Sequence, residues 1–287
     1  MPSSYRRRAA HTRAAFTGET ASLAGPGITR RHTPGLDACT APQRRLRALL
    51  ALGMFNHGPT SFWPRLMSLA DITRYTLVFS PRQDDLVITA RAPYNVACWL
   101  VGRDTLPEVG LPGLRVETSY DEGWRLRHLP TGATMTITGD RHGRLLDSPG
   151  ADSNYQKLWG TEVAVSEEEN AVLKALPRLD EDTEAALAAL TVRLCLRDPA
   201  GTWNLGMWFW EPSGRPVRGG AHHRRLSAEG NRCELHWDSA PYPDDLRTAL
   251  THPVIGLPGA TSRSTSTGWQ LLYRHTTLTA VPWPFLP

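Results

Sequence analysis

Lysine is almost missing from this chain: of its 32 Lys and Arg residues, only Lys157 and Lys174 are lysine. With abundant Ala, Gly and Pro, that skew reads as the bias of a high-GC genome, so part of the arginine content is compositional. Cysteine is scarce as well. Cys39, Cys98, Cys195 and Cys233 are widely scattered and form no C-x-x-C pair, which argues against a disulfide framework and suits a reducing compartment. The longest apolar run, Ala48 to Phe55, is far too short to span a bilayer. Arg6-Arg7-Arg8 is followed by no hydrophobic segment, because His11, Arg13 and Glu19 interrupt what comes next. A cytoplasmic location with no membrane partner is the expectation. The chain also lacks G-x-x-x-x-G-K-[ST], G-x-G-x-x-G after a strand, G-x-S-x-G and H-E-x-x-H. The familiar phosphate, dinucleotide, acyl-transfer and zinc-protease signatures are thereby excluded, and no cofactor is expected.

What is present is enough for a folded protein. The 287 residues can bury a proper core, and 21% charged with 40% hydrophobic residues is the balance of a globular chain. A net charge of +4 permits an anionic partner without demanding one.

One short pattern occurs twice. Ala92-Pro93-Tyr94, Thr105 to Gly113 (TLPEVGLPG) and Gly123-Trp124-Arg125-Leu126 form the first copy. Ala240-Pro241-Tyr242, Thr251 to Gly259 (THPVIGLPG) and Gly268-Trp269-Gln270-Leu271 form the second. The three landmarks recur in the same order at spacings of 148, 146 and 145 residues, so the chain contains an internal duplication. The expected fold is α+β, two related halves with mostly antiparallel sheets in a pseudo-twofold arrangement.

Taken in order, residues 1–38 read as a disordered basic arm, since their arginines face little apolar periodicity. The first half covers 39–140. Thr40 and Pro42 open a helix carrying Leu46, Leu49 and Leu50, Gly58-Pro59 stops it, and a second helix is expected over Ser61–Thr73. That pair has too few donors to read DNA bases and reads as packing. Alternation then predicts strands near Tyr75–Phe79, Leu86–Arg91, Leu114–Ser119, Trp124–Leu129 and Thr134–Thr138, with a helix over Tyr94–Gly102. Residues 141–161 are polar and form a candidate linker. The second half, 162–287, begins with the capped, acid-rich Ser166-Glu167-Glu168-Glu169. Its next helix ends in Leu187-Ala188-Ala189-Leu190-Thr191, which resembles Leu69-Ala70-Asp71-Ile72-Thr73. Val192–Arg197 and Trp203–Trp210 suggest a hairpin, followed by a long basic loop over 211–231 that the first half lacks.

The candidate sites lie where the copies differ. Arg215, Arg218, His222, His223, Arg224 and Arg225, with Trp208 beside them for stacking, could clamp a phosphate or carboxylate. Nucleic acid or an acidic protein is the partner this implies. A strand over Cys233–Asp238 places Glu234, His236 and Asp238 on one face, opposite Cys233, Leu235 and Trp237. Landmark spacing matches that polar face to apolar Leu86, Ile88 and Ala90, which suggests a hydrolase or nuclease-like site, unless a one-residue register shift turns it to solvent. His222, His223, Cys233 and His236 form a weaker zinc alternative, because the set contains no second tight ligand pair. The leading expectation is a non-enzymatic binding or adaptor protein whose second half recognises an anionic partner.

Overall fold

Strand alternation and turn glycines build the same sheet twice. The structure, a computed structural model, describes residues 3–56, 65, 67–120, 123–139, 157–208, 224–237 and 240–282. The chain starts with helices α1 (Ser3–Thr17) and α2 (Ala21–Ala24). The first half follows as α3 (Ala41–Met54), α4 (Leu69–Tyr75), β1 (Thr76–Pro81), β2 (Asp85–Ala90), α5 (Pro93–Leu100), β3 (Leu114–Tyr120), β4 (Gly123–His128) and β5 (Thr134–Gly139). The second half contributes α6 (Glu167–Ala175), α7 (Glu181–Val192), β6 (Arg224–Glu229), β7 (Arg232–Trp237), α8 (Pro243–Thr251), β8 (Thr261–Thr265), β9 (Gly268–Tyr273) and β10 (Thr276–Pro282).

The strand orders are β1-β2-β5-β4-β3 and β6-β7-β10-β9-β8, one topology written twice. Among the described strands, the central pairs β2 with β5 and β7 with β10 run parallel and the other ladders are antiparallel. The α+β fold and its duplication are therefore as the landmarks implied. Trp124 and Trp269 lead β4 and β9, and Leu126 and Leu271 behind them are fully buried. Gly113 and Gly259 take φ of 76° and 84° where each Gly-Leu-Pro-Gly loop turns, a conformation that residues with a Cβ rarely adopt.

Helices α3 and α7 pack on each other between the halves, and one continuous core holds Leu46, Leu49 and Leu50 together with Leu187 and Leu190. Each helix is tied to its own sheet in the same way. Gln43 Nε2 donates to the carbonyls of Asp84 and Thr134, while Thr183 Oγ1 donates to the Gly230 carbonyl and meets Thr276 Oγ1. That match makes α7 the twin of α3. The resemblance of its end to Leu69–Thr73 misleads, since those residues belong to α4.

Several expectations need correcting. Residues 3–38 are not a disordered arm. Ala9, Ala10 and Phe16 give α1 an apolar side, and Phe16 stacks on Trp203 at 6.3 Å. Arg13 is fully buried, forks onto the Glu19 carboxylate at 2.6 and 2.9 Å, and donates to the carbonyls of Pro34 and Pro81. A charge that reads as solvated is neutralised inside. Of the second helix expected over Ser61–Thr73, Leu69 onward is helical, capped by the Ser68 hydroxyl on the Asp71 N–H. Residues 61–64 and 66 lie outside the described residues. In the linker, residues 141–156 do so too, but 157–161 run beside β3, where the Val116 N–H donates to Trp159 O and the Thr161 N–H to Val116 O. Of the hairpin expected over 192–210, residues 209–210 lie outside the described residues; among the rest, α7 runs on through Val192 and only an isolated bridge joins Arg197 and Asn204. Of the long loop expected over 211–231, residues 211–223 lie outside the described residues, and Arg224–Glu229 is strand β6. Gly230-Asn231 closes its hairpin with β7, and Gly230 supplies the positive φ of 57° that the first position of such a turn favours.

Candidate functional site

The second sheet presents the face on which the candidate residues were expected. In β7, Cys233, Leu235 and Trp237 are buried, while Arg232 and Glu234 are exposed and His236 is half-buried. Ladder register explains this. Cys233 and Leu235 oppose Leu278 and Ala280 of β10, as Leu86 and Ile88 oppose Met135 and Ile137 of β5. The twin of Leu86 is thus Cys233 and not Glu234, a shift of one residue from the landmark spacing. Helix α5 starts at Pro93, inside its Ala-Pro-Tyr, whereas α8 starts at Pro243, just after the second one. One residue is enough to turn Glu234 and His236 outward.

The two outward side chains bond to each other, His236 Nε2 with Glu234 Oε1. Asp238, His222 and His223 lie outside the described residues. The zinc alternative fails at Cys233, which faces the core while His236 faces outward, so the pair cannot converge on one ion. Desolvation also pushes the Cys233 thiol up to about 12, against the thiolate a metal needs. Among the described residues, no group of three His, Cys, Asp or Glu is placed to hold a metal.

The expected clamp divides similarly. Arg215 and Arg218 lie outside the described residues. Trp208 is fully buried, edge-on to Phe55 at 5.0 Å and 5.9 Å from Trp237, so it belongs to the core and not to a stacking platform. Arg224 is buried beside it and donates to the Trp208 carbonyl at 2.9 Å. Arg225, pointing the other way along β6, is exposed.

Around Arg225 the sheet forms a polar surface that reading single strands did not assemble. Register lines up Ser227, Glu234, Thr279, Gln270 and Arg263 across the five strands. These residues, with Glu229, Arg232 and Thr277, border an open depression of about 760 Å³. Arg263 donates twice to Gln270 Oε1, a neutral partner, and Arg225 and Arg232 make no ion pair among the described residues. The first sheet differs. There Glu117 receives both Arg125 and Arg127, whose pull holds its carboxyl below the usual range, and Asp85 accepts the hydroxyls of Thr134 and Thr136. Helix α1 packs beside β1 through Arg13 and Ser80.

No protein-family model matches this chain, and no curated protein or solved structure does. Function must be argued from the two copies themselves.

Their edges make the clearest contrast. Strand β3 closes the first sheet, and residues 157–161 cover its edge through Val116. Its twin β8 closes the second sheet, and Ser262 holds the place of Val116, since Ser262 opposes Leu271 as Val116 opposes Leu126. Thr261 to Ser264 are exposed, and the outer backbone of β8 has no partner among the described residues. The β6 edge is treated differently. Asn56, just past α3, donates to the Leu226 carbonyl at 2.8 Å and accepts from its N–H at 3.3 Å, occupying the backbone groups another strand would use.

Proposed function

We propose that this protein is a binding or adaptor protein that takes an extended, acidic segment of a partner protein along the β8 edge of its second sheet. The observation that carries this reading is the copy difference: the chain's own residues 157–161 lie along β3, while the equivalent β8 edge is left open among the described residues. Exposed edges template strand addition, in which backbone bonds supply affinity and side chains on the sheet face supply selectivity. Arg263, Arg232 and Arg225 on that face favour carboxylates. Glu229 and Glu234 lie among them, a mixed pattern that suits protein better than a continuous phosphate backbone.

The test uses a fluorescein-labelled peptide of alternating Thr and Glu beside a single-stranded DNA of similar length, followed by anisotropy at several salt concentrations. The peptide is expected to bind and to weaken with salt. Ser262→Pro is expected to abolish binding without unfolding the protein, because proline removes an outward N–H that an edge strand can spare. Tighter binding of DNA, or peptide binding indifferent to Ser262→Pro, would overturn the assignment.

A further inference from the structure

A second feature lies away from that edge, in the segment that precedes the first half. Residues 1–36 hold six arginines and one acid, Glu19, whereas residues 37–287 hold 26 basic and 27 acidic residues. The whole positive balance of the molecule therefore sits in that segment. A genomic bias toward arginine would enrich both parts alike, and it does not account for acids missing from one of them.

Folding sharpens the imbalance. Glu19 is buried and spent on Arg13, itself fully buried, so that pair cancels inside. Arg6, Arg7, Arg8, Arg30 and Arg31 are exposed, and none of the five has a carboxylate partner among the described residues. Elsewhere the arginines near the surface do find acids: Arg44 and Arg45 meet Glu184, Arg127 meets Glu117 and Arg274 meets Asp182.

The five come from two stretches that the fold brings together. Tyr5, in the first turn of α1, stacks on His32 with ring centroids 6.5 Å apart, and Arg6 Nη2 donates to the Gly25 carbonyl at 3.2 Å. This sets Arg6, Arg7 and Arg8 beside the turn that carries Arg30 and Arg31. Both mounts are fixed. Helix α1 is anchored by Arg13 on Glu19 and the Pro81 carbonyl, and by Phe16 on Trp203. In the turn, the Thr29 N–H donates to the Thr33 carbonyl and the two threonine hydroxyls meet at 2.7 Å. His32 takes a φ of 58° there, a conformation that costs a residue with a Cβ.

We propose that this surface binds the phosphate backbone of double-stranded nucleic acid without reading its sequence. Guanidinium forks suit phosphate oxygens, and an unmixed cationic surface matches a continuous polyanion, unlike the second sheet's face with its interspersed glutamates. A single strand fits less well. It carries its charge at about half the density of a duplex. Tyr5, which could stack a base, already lies against His32 with the Arg8 guanidinium 5.1 Å from its ring. A membrane surface also fits less well, because the apolar side of α1, with Ala9, Ala10 and Phe16, is packed inward and is not free to insert.

The full-length protein should be titrated with a fluorescein-labelled, random-sequence duplex DNA of about two helical turns, with anisotropy read between about 50 and 200 mM salt. Binding is expected, with log affinity falling against log salt at a slope of about −3 to −4, as for three to four neutralised phosphates. Arg7→Gln with Arg8→Gln, and separately Arg30→Gln with Arg31→Gln, should each weaken binding about tenfold and make the slope shallower by about 1 to 2. All four positions are exposed, so the melting curve should not move, and the second pair decides the matter if the first misfolds. Ser262→Pro should leave duplex binding unchanged, which separates this surface from the β8 edge. Five results would each overturn the assignment: no duplex binding; an affinity and slope that neither pair moves; tighter binding of a single strand of the same length; binding to vesicles of phosphatidylcholine and phosphatidylserine in equal parts that outlasts duplex binding as salt rises; or duplex binding lost in Ser262→Pro.

Discussion

His128 and Tyr273 end β4 and β9 in twin positions, and the difference between them creates a pH dependence. His128 is fully buried, with Nε2 3.0 Å from the Pro112 carbonyl and Nδ1 2.8 Å from Thr131 Oγ1. A carbonyl only accepts, so Nε2 carries the proton and Nδ1 accepts from the hydroxyl, which is the neutral ring. Desolvation lowers its pKa from 6.5 to about 4. Between those values the unfolded chain binds a proton that the folded one refuses. The stabilisation is therefore complete above about pH 6.5 and is lost as the pH falls toward 4, with about 3 kcal/mol as its upper scale. His128→Tyr, the residue its twin already uses, should fold and flatten urea-derived stability across that window. A slope as steep as in the parent protein would show that other groups govern it. Nothing in the sequence singled out His128, because a histidine closing an alternating strand looks no different when its ring is buried. Likewise, Arg13 and Arg47 could not be told from the exposed Arg6, Arg7 and Arg8, since a basic residue's environment is set by distant acceptors such as Glu19 and the Asp85 carbonyl.

At the scale of elements, strands with apolar alternation were legible almost to the residue. Leu86–Arg91, Leu114–Ser119, Trp124–Leu129 and Thr134–Thr138 were expected, and β2 to β5 lie there. The capped start of α6 was legible too, since Ser166 and Glu169 form the complete box. Strand β6 was not, because Arg224 and Arg225 weigh more heavily in composition than the alternation of Leu226 and Ala228. The candidate site suffered most from this. The polar face of β7 was anticipated as a pattern, but only the ladder fixed which side it took, and the β8 edge is defined by having no cover among the described residues. The β6 edge yields a prediction. Asn56 serves Leu226 as a substitute strand, so Asn56→Ala should leave a buried N–H and carbonyl unmatched and cost about 1–3 kcal/mol. Hydrogen exchange at the Leu226 amide should rise at least in proportion. Unaltered exchange would mean that neighbouring side chains, and not Asn56, protect that edge.

For the molecule as a whole, the duplication suggests two independent halves, yet the packing argues for one folding unit. Helices α3 and α7 share one core, and the N-terminal segment ties both halves together: Glu19 accepts from Ser80 of the first sheet, the Arg197 N–H donates to Phe16 O, and Asp37 reaches Arg193 after α7. Arg193 is fully buried and also donates to the carbonyls of Ala189 and Ile255, so its charge depends on Asp37 for an anion. Removing one partner of a buried pair costs about 3–5 kcal/mol, whereas replacing both with apolar groups can be nearly neutral. Asp37→Asn should therefore destabilise strongly, and Asp37→Leu combined with Arg193→Met should recover much of the loss. Calorimetry should give a single transition for the parent protein and for each variant, shifted as a whole, because α7 and the N-terminal segment cannot loosen without opening the core that serves both sheets. Two resolved transitions, with only the second half responding to Asp37→Asn, would mean that the halves fold separately and that the seam is a contact between finished domains.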